Sequence, residues 1–332
     1  MSQTTKSKQP PTIADVAALA GVSRAIASRA LSAAPRPVSA EKRALVLQAA
    51  SELNYRPNLL ARSLTTKKLN LVAVVVNHIH DLSDLDVFDL LIDEIQTHGK
   101  QVILVRVGTA SGVADLLRDG IAYHVDAALV FSDFADAATV RKMFRSDHVI
   151  MLNGLHDANS PAVLGGDEGI IEAVGDAAAK GVRSAALVTG RASSLVERAR
   201  ADAYRAAFAD HGIVLTHVVQ GDYSYASGYR AAAEVAEAGF PDAVFCTSDA
   251  MAMGVLDARR GDFPSNRPTL FRLYGFDNIS MTNFDAYPVS SIGYDKADYV
   301  AQMLRFLESP DLFDPGRGPV LMPTRYFPRL TG

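Results

Sequence analysis

The sequence is poor in the residues that mark secreted or membrane-spanning proteins. Among 332 residues it has one cysteine, Cys246, and no tryptophan, so an internal disulfide framework and a cysteine-rich zinc site are excluded. No apolar run approaches the roughly 20 residues that a membrane helix needs. The first eleven residues are polar and lack the apolar centre of a secretory signal. These absences predict a soluble, cytoplasmic protein.

Signatures of catalysis are missing as well. The sequence has no phosphate-binding Gly-Lys-Ser/Thr motif, no dinucleotide-binding glycine fingerprint after its first apolar run and no Gly-x-Ser-x-Gly elbow. Cys246 lies in an apolar run, where thiols are inert. A metal site could be built from His78, His80, Asp81 and Asp84, but such clusters are more often solvated loop residues. We predict no enzyme activity, no catalytic residue, no cofactor and no metal.

Charge is distributed unevenly along a chain of ordinary globular composition, with 48% apolar and 21% charged residues. Residues 1–68 carry eleven Lys and Arg against three acids, a net charge of +8, whereas the remainder carries 22 bases against 34 acids, a net charge of −12. The basic head indicates a polyanionic partner, although clustering on a solvated surface would give the same numbers.

The head is predicted to form short helices. Thr12 is placed to cap the first helix, which Gly21 ends, and Ser23 caps a second helix over 24 to about 31. Ser39 caps a third. Three short helices with a tight turn between the first two are typical of a helix-turn-helix unit. The segment 57–64 could form a further helix of about two turns, which is too short to be stable alone.

The rest of the chain alternates between apolar runs and helical stretches. This alternation predicts two parallel, doubly wound sheets rather than one large sheet. The predicted strands are Leu71–Val76, Val102–Val107, Ala127–Phe131, Val149–Leu152, Ala185–Thr189, Ile213–Val219, Ala243–Thr247 and Leu270–Tyr274.

Several segments of the chain form a recognisable series. In the head they are Thr12–Leu31, Val38-Ser39, Tyr55–Asn58 and Ala61–Leu64. In the body they are Arg200–Tyr204, Ser227–Tyr229, Ser248–Gly254 and Gly275–Asp277. In this order, these segments resemble the lactose-repressor (LacI/GalR) family of transcriptional regulators.

The resemblance implies a fold and a division into domains. The expected fold is an all-α helix-turn-helix head followed by an α/β core of two doubly wound parallel-sheet subdomains, similar to periplasmic sugar-binding proteins. The expected boundaries are a disordered tail at 1–11, the DNA-binding domain at 12–56, a hinge helix and linker at 57–68, and an effector-binding and dimerisation core at 69–332. The chain is expected to cross between the two subdomains.

The resemblance also assigns base contacts to the second helix. Arg24, Ala25 and Arg29 match the positions that face bases. Each arginine can form a bidentate pair with guanine, whereas Ala25 offers a methyl contact.

Phosphate and hinge contacts are implied at further positions. Ser23, Ser28 and Ser39 match hydroxyls that meet phosphates, although Ser23 and Ser39 also suit plain helix capping. Asn58 matches a hinge contact. Leu64 matches a leucine that enters the minor groove, with packing between two hinge helices as the alternative.

An effector site is implied in the cleft between the subdomains. Asp277 matches an acid that accepts hydrogen bonds from effector hydroxyls, and Arg200 matches an effector-binding arginine, with Arg198 competing for that alignment. Tyr223 matches an aromatic position that packs on the effector but could be a core residue, and Glu168 matches an acidic position at the subdomain boundary.

Departures from the family pattern bear on which effector is bound. Ser248 stands before Asp249 where an asparagine is usual, so a hydroxyl replaces an amide at a position that often touches effector. Phe131 stands where some members have a polar contact.

The resulting functional prediction is an effector-responsive transcriptional regulator, most naturally a repressor. It is expected to bind palindromic double-stranded operator DNA as a homodimer and a small sugar-like or polyol-like effector, without membrane association. The C-terminal segment has no leucine heptads, which favours a dimer over a tetramer. The alternative is a solute-binding protein or a carbohydrate enzyme on the same α/β scaffold.

Overall fold

The structure, a computed structural model, divides the chain into two compact units, Met1–Leu69 and Asn70–Gly332. The hinge segment predicted at 57–68 lies outside the described residues, so the roles of Asn58 and Leu64 stay predictions. The described residues are 11–32, 37–56, 69–79, 82–108, 112–113, 124–133, 135–152, 156–261 and 271–332.

The first unit contains the predicted helices, each begun by the predicted cap. The hydroxyls of Thr12, Ser23 and Ser39 each accept a hydrogen bond from the backbone N–H three residues later, at 3.4, 3.3 and 3.4 Å. These bonds satisfy donors that the first helical turn leaves without an intrahelical partner. The helices are α1 (Ile13–Leu19), α2 (Arg24–Ala30) and α3 (Ala40–Glu52).

Small side chains let these helices pack closely. The turn between α1 and α2 passes through Gly21 at a φ of +64°, a backbone conformation that glycine adopts without steric cost. Arg43 on α3 donates to the carbonyl oxygen of Ala30, the last residue of α2, at 3.1 Å. The buried apolar residues shared by the helices are Val16, Ala17, Ala27, Ala30, Val46, Ala49 and Ala50.

The second unit alternates strands with helices. Its strands are β1 (Leu71–Val76), β2 (Gln101–Arg106), β3 (Ala127–Val130), β4 (Val149–Met151), β5 (Val163–Gly165), β6 (Ser184–Thr189), β7 (Val214–Gln220), β8 (Ala243–Cys246), β9 (Arg272–Tyr274), β10 (Ser291–Gly293), β11 (Val320–Met322) and β12 (Arg325–Phe327). Its helices are α4 (Leu82–Thr97), α5 (Ala137–Phe144), α6 (Glu168–Ala179), α7 (Leu195–Asp210), α8 (Tyr225–Glu237), α9 (Asp249–Gly261) and α10 (Lys296–Glu308).

Two four-stranded parallel sheets organise this unit. Their strand orders are β2-β1-β3-β4 and β7-β6-β8-β9. In each sheet the chain starts at an inner strand, moves to one edge and returns to build the other edge, which is the doubly wound arrangement. The predicted fold class is therefore confirmed.

Both faces of each sheet are covered, as the continuous apolar runs require. In β1, Val72 and Val74 pack on one side while Ala73 and Val75 pack on the other. Among the described residues no helix is both long and apolar enough to cross a membrane.

Short strands that the sequence analysis does not predict join the two sheets. β5 pairs with β11 in parallel, and β10 pairs with β12 in antiparallel orientation. After β5 the chain continues to α6, which packs on the second sheet, and after β10 it returns through α10 to the first. From β11 it passes to β12. Each of these strands has three residues, too few for a recognisable pattern.

Candidate functional site

A cavity of about 370 Å³ lies between the two sheets, at the carboxyl ends of their strands. Phe131 and Leu152 line it directly after β3 and β4, and Asp84 lines it from α4. The second sheet contributes residues that follow β6, β7 and β9: Arg191, Tyr223, Phe276 and Asp277. This is where open α/β sheets generally bind ligands.

Arg200 on α7 is fixed by contacts on several sides. Its Nη1 donates to the carbonyl oxygen of Thr247 at 2.7 Å, and its guanidinium carbon lies 3.7 Å from the centroid of the Phe276 ring. Burial alone would lower the pKa of the Arg200 guanidinium. The negative charge of Asp277, together with other neighbouring groups, outweighs burial and raises that pKa. Arg200 therefore presents a fixed positive charge to the cavity.

Asp277 sits in a strained turn after β9. Its φ is +99° and that of the next residue, Asn278, is +46°, a conformation that non-glycine residues rarely adopt. The Asp277 N–H donates to the carbonyl oxygen of Ile292 at 2.7 Å, which ties the turn to β10. Strain of this kind persists only where surrounding contacts hold it, and it clusters at functional sites.

Tyr223 forms an aromatic wall of the cavity. Its hydroxyl donates to Oε2 of Glu197 at 2.8 Å, and the guanidinium of Arg191 lies 4.6 Å from its ring centroid. Burial, followed by the charge of Glu197, raises the pKa of Tyr223, so the phenol stays protonated. Glu197 in turn accepts from the N–H of Gly190 at 2.8 Å.

The cavity lining therefore includes three of the predicted effector residues, Arg200, Tyr223 and Asp277. It does not include Glu168 or Ser248. Glu168 is exposed and accepts from the N–H of Thr324 at 3.2 Å. Ser248 is 3% exposed, and its hydroxyl accepts from the Met251 N–H at 3.3 Å, as a helix cap does.

Other polar residues in or beside the cavity are ones that the sequence analysis did not select. Arg191 and Asp167 line it. Asp133, which follows β3 and has a fully buried side chain, accepts from the amide of Asn77, and its Oδ2 lies 3.5 Å from Nε of Arg191. Charged residues just after buried strands are the signal that could have identified Asp133 and Arg191. Arg198, the alternative match to the effector-binding arginine, is exposed and does not line the cavity.

In the first unit, the predicted DNA-contact residues of α2 form one exposed face. Arg24, Ala25, Ser28 and Arg29 are all exposed. Their spacing of one and four residues places them side by side on a helix. The opposite side of α2 is buried against the other helices, so α2 exposes one guanidinium group at its N-terminus, that of Arg24, and one in its last turn, that of Arg29.

Ser23 and Ser39 are also exposed, although each hydroxyl already accepts a capping hydrogen bond. Each hydroxyl keeps its own proton to donate. Capping and a phosphate contact are therefore compatible at both positions.

Residues suited to metal or nucleophilic chemistry are not assembled into a site in the described ranges. No group of three or more His, Cys, Asp or Glu side chains is placed there to hold a metal ion. His80 and Asp81 lie outside those ranges. Burial raises the pKa of the Cys246 thiol, which keeps it protonated.

Two family models match this chain. The model described as bacterial regulatory proteins of the lacI family matches residues 12–58. The model described as a periplasmic binding protein-like domain matches residues 174–330. The first match covers α1, α2 and α3, and the second covers the sheet that contributes Arg200, Tyr223 and Asp277.

Individual proteins are similar to the chain over most of its length. Catabolite control protein A of Priestia megaterium is 28% identical over 89% of this chain and 91% of its own length. The Lac repressor bound to ONPG in its repressed state has a TM-score of 0.79 at 23% identity, covering 98% of this chain and 100% of its own. The Lac repressor dimer bound to operator and the anti-inducer ONPF has a TM-score of 0.78 at 23% identity, covering 97% of this chain and 99% of its own.

The fold, the order of the two matched domains and the similarity to catabolite control protein A over 89% of the chain agree with each other. The chain therefore combines a helix-turn-helix head of the lacI family of bacterial regulatory proteins with a periplasmic binding protein-like domain.

Proposed function

We propose that this protein is a transcriptional repressor that binds operator DNA as a homodimer and responds to a small sugar-like or polyol-like effector. The observation that carries this proposal is the arrangement of Arg200, Asp277 and Tyr223 in one cavity of a chain that also has a helix-turn-helix unit. A sensor of this kind would act in the cytoplasm, where the DNA is.

The exposed face of α2 supports the DNA-binding half of the proposal. A helix of this size fits the major groove, where Arg24 and Arg29 can each pair with guanine. Ala25 offers a methyl contact, and Ser23 and Ser28 can donate to phosphates.

Three further DNA contacts are proposed from the family resemblance. Ser39 donates to a phosphate at the start of α3. Asn58 contacts the DNA backbone, and Leu64 enters the minor groove as an apolar wedge. The last two residues lie outside the described ranges.

The chemistry of the cavity supports the effector half. Sugars and polyols present hydroxyls that donate to carboxylates and accept from guanidinium groups, and Asp277 and Arg200 offer both. Tyr223 and Phe276 provide aromatic surface for the apolar faces of a sugar ring. Glu168 and Ser248 would join the site only after a rearrangement, because neither side chain lines the cavity in this structure.

Homodimerisation follows from the geometry of DNA recognition. Two copies related by a two-fold axis would present two recognition helices to two half-sites of a palindrome. One similar protein, the Lac repressor, is described as a dimer bound to operator. Sedimentation should give a dimer at micromolar concentration, and a stable tetramer would contradict this part of the proposal.

The alternative, a solute-binding protein or a carbohydrate enzyme, has weaker support. A solute-binding role explains the cavity but does not explain the exposed arginines of α2. An enzyme would need a nucleophile or an acid-base pair with a role distinct from ligand binding. The match of residues 12–58 to bacterial regulatory proteins also favours a regulator.

Two measurements on the full chain test the proposal. Mobility shift with a palindrome from upstream of the protein's own gene should show binding that Arg24→Ala weakens. A thermal-shift screen of hexoses, disaccharides, polyols and sugar acids should find a compound that raises the melting temperature, because a ligand of the native state stabilises it. That compound should also change the mobility shift. Absence of any DNA binding would overturn the repressor assignment.

A further inference from the structure

Asp86 and Lys296 belong to the part of the second unit that is built on the first sheet. Asp86 lies on α4 and Lys296 is the first residue of α10, and these two helices pack together. Nζ of Lys296 donates to Oδ2 of Asp86 at 2.6 Å. The two residues thus form an ion pair at neighbouring ends of their helices.

This ion pair reaches across to the turn that carries Asp277. Asp86 accepts from the N–H of Ser280 at 2.7 Å and from its hydroxyl at 2.9 Å. Lys296 donates a second hydrogen bond to the carbonyl oxygen of Asn278, at 2.8 Å. Residues 278–280 belong to the second sheet's subdomain, so these bonds connect the two subdomains beside the cavity.

The turn needs such support because its backbone is strained. Asp277 and Asn278 both have positive φ values, and the second sheet's own contacts hold only part of the turn. Arg329 donates to Oδ1 of Asn278 at 2.7 Å, and the Asn278 N–H donates to the hydroxyl of Ser291 at 3.0 Å. The Asn278 carbonyl oxygen instead accepts from Lys296, and the Ser280 N–H donates to Asp86.

The ion pair is substantially shielded from water, which makes its bonds stronger than those of an exposed pair. The side chains of Lys296 and Asp86 are 16% and 24% exposed. Burial alone would raise the pKa of Asp86, but the hydrogen bonds from Lys296 and Ser280 outweigh it and lower that pKa. Asp86 is therefore ionised near neutral pH.

We propose that Asp86 and Lys296 are positioning residues, which hold the turn of Asp277 in its effector-binding conformation from the opposite subdomain. The inference rests on the proposed effector role of the cavity. It makes effector affinity depend on the relative placement of the two subdomains, because the turn is fully held only when both lie as in this structure. A ligand that needs the held turn thereby favours that placement.

The test uses Asp86→Ala and Lys296→Met, singly and together, with Glu308→Gln as the matched control. Glu308 pairs with His98 at 3.2 Å, and this pair also joins α4 to α10 but lies at their other ends. The first readout is hydrogen exchange of the peptide 277–284 in protein without ligand. The second is affinity for the compound that gives the largest thermal shift with the wild-type chain.

Both single variants should exchange the 277–284 amides faster than the wild type, while the strands of both sheets keep their protection. Affinity should fall roughly tenfold or more, within the usual range of coupling between sites. Because both residues hold one turn, the double variant should lose little more than the weaker-binding single variant. Glu308→Gln should match the wild type in both readouts.

Specific results would overturn the inference. The inference fails if Asp86→Ala and Lys296→Met exchange the 277–284 amides as slowly as Glu308→Gln does and bind the compound with the same affinity. Faster exchange with unchanged affinity would also overturn it, because the turn would then not limit effector binding. If no compound in the screen binds the wild type, the effector role fails instead, and exchange alone shows whether these residues hold the turn.

Discussion

Nη1 of Arg200 and Oδ1 of Asp277 lie 3.9 Å apart across the wall of the cavity. This separation is longer than a direct hydrogen bond but short enough for the charges to attract. A ligand hydroxyl that bridged them could accept from the guanidinium and donate to the carboxylate at once. The pair therefore suits the neutral, hydroxylated effector that we propose.

Asp277→Ala should remove the acceptor of this pair. A hydrogen bond to a charged group contributes about 1.5–3 kcal/mol, so effector affinity should fall roughly 10- to 200-fold. Calorimetry with the compound found by thermal shift would measure the loss. Operator binding without effector should be unchanged, because Asp277 is outside the basic head.

The matched control is Asp202→Ala, which removes an acid from α7 whose side chain is 76% exposed. Asp202 does not line the cavity, so its loss should leave affinity as in the wild type. An Asp277→Ala protein that bound effector normally would show that the carboxylate has no role in the site.

Arg24→Ala should relax sequence preference rather than weaken all DNA alike. Loss of one bidentate contact with a base should weaken cognate binding by about 1–3 kcal/mol and relax the preference at one base pair in each half-site. Binding to operators changed one base pair at a time would reveal this. Lys42→Ala, which removes an exposed charge of α3, serves as a control for general electrostatics. Equal weakening on every sequence would assign Arg24 to phosphate contact.

Substitutions of Ser23 can separate capping from phosphate contact. Ser23→Ala removes the acceptor for the Ile26 N–H and should destabilise the head by about 1 kcal/mol. Ser23→Asp keeps a good capping acceptor but places a negative charge beside the DNA backbone. We expect Ser23→Asp to melt like the wild type yet bind operator poorly. Normal operator binding by Ser23→Asp would leave Ser23 as a cap alone.

Much of the fold could be predicted because it depends on local patterns. The capping hydroxyls of Thr12, Ser23 and Ser39 fix where helices begin, and continuous apolar runs such as Leu71–Val76 identify strands buried on both faces. The strands β5, β10, β11 and β12 could not be predicted in this way. Their pairing depends on partners far away in the sequence.

The cavity could be predicted only in part, for a related reason. Asp277 and Arg200 follow from family resemblance, but Asp86 binds Ser280, 194 residues away in the sequence, and Lys296, 210 residues away. Ser248 illustrates the opposite case. Its position in the motif suggests a ligand contact, whereas local geometry uses its hydroxyl as a helix cap.

The stability of the core should depend on pH through Asp249. This residue is fully buried, and its carboxyl accepts from the Ile279 N–H at 2.9 Å and from the Ser291 hydroxyl at 2.6 Å. Burial, followed by the charge of Asp277, raises the pKa of Asp249 well above its usual value of 3.8. Folding therefore favours the protonated form.

Asp249→Asn should reveal this dependence, because the amide cannot titrate. A group whose pKa is raised by folding contributes stability that is fully present below its unfolded pKa and is lost as pH rises through its folded pKa. The free energy of unfolding of the wild type, relative to that of Asp249→Asn, should thus decline as pH rises from about 4 to neutral. Urea unfolding followed by circular dichroism at a series of pH values would measure the difference. Asp202→Asn, at an exposed acid, should show no such decline relative to the wild type, and a constant difference between Asp249→Asn and the wild type would mean that Asp249 is ionised throughout.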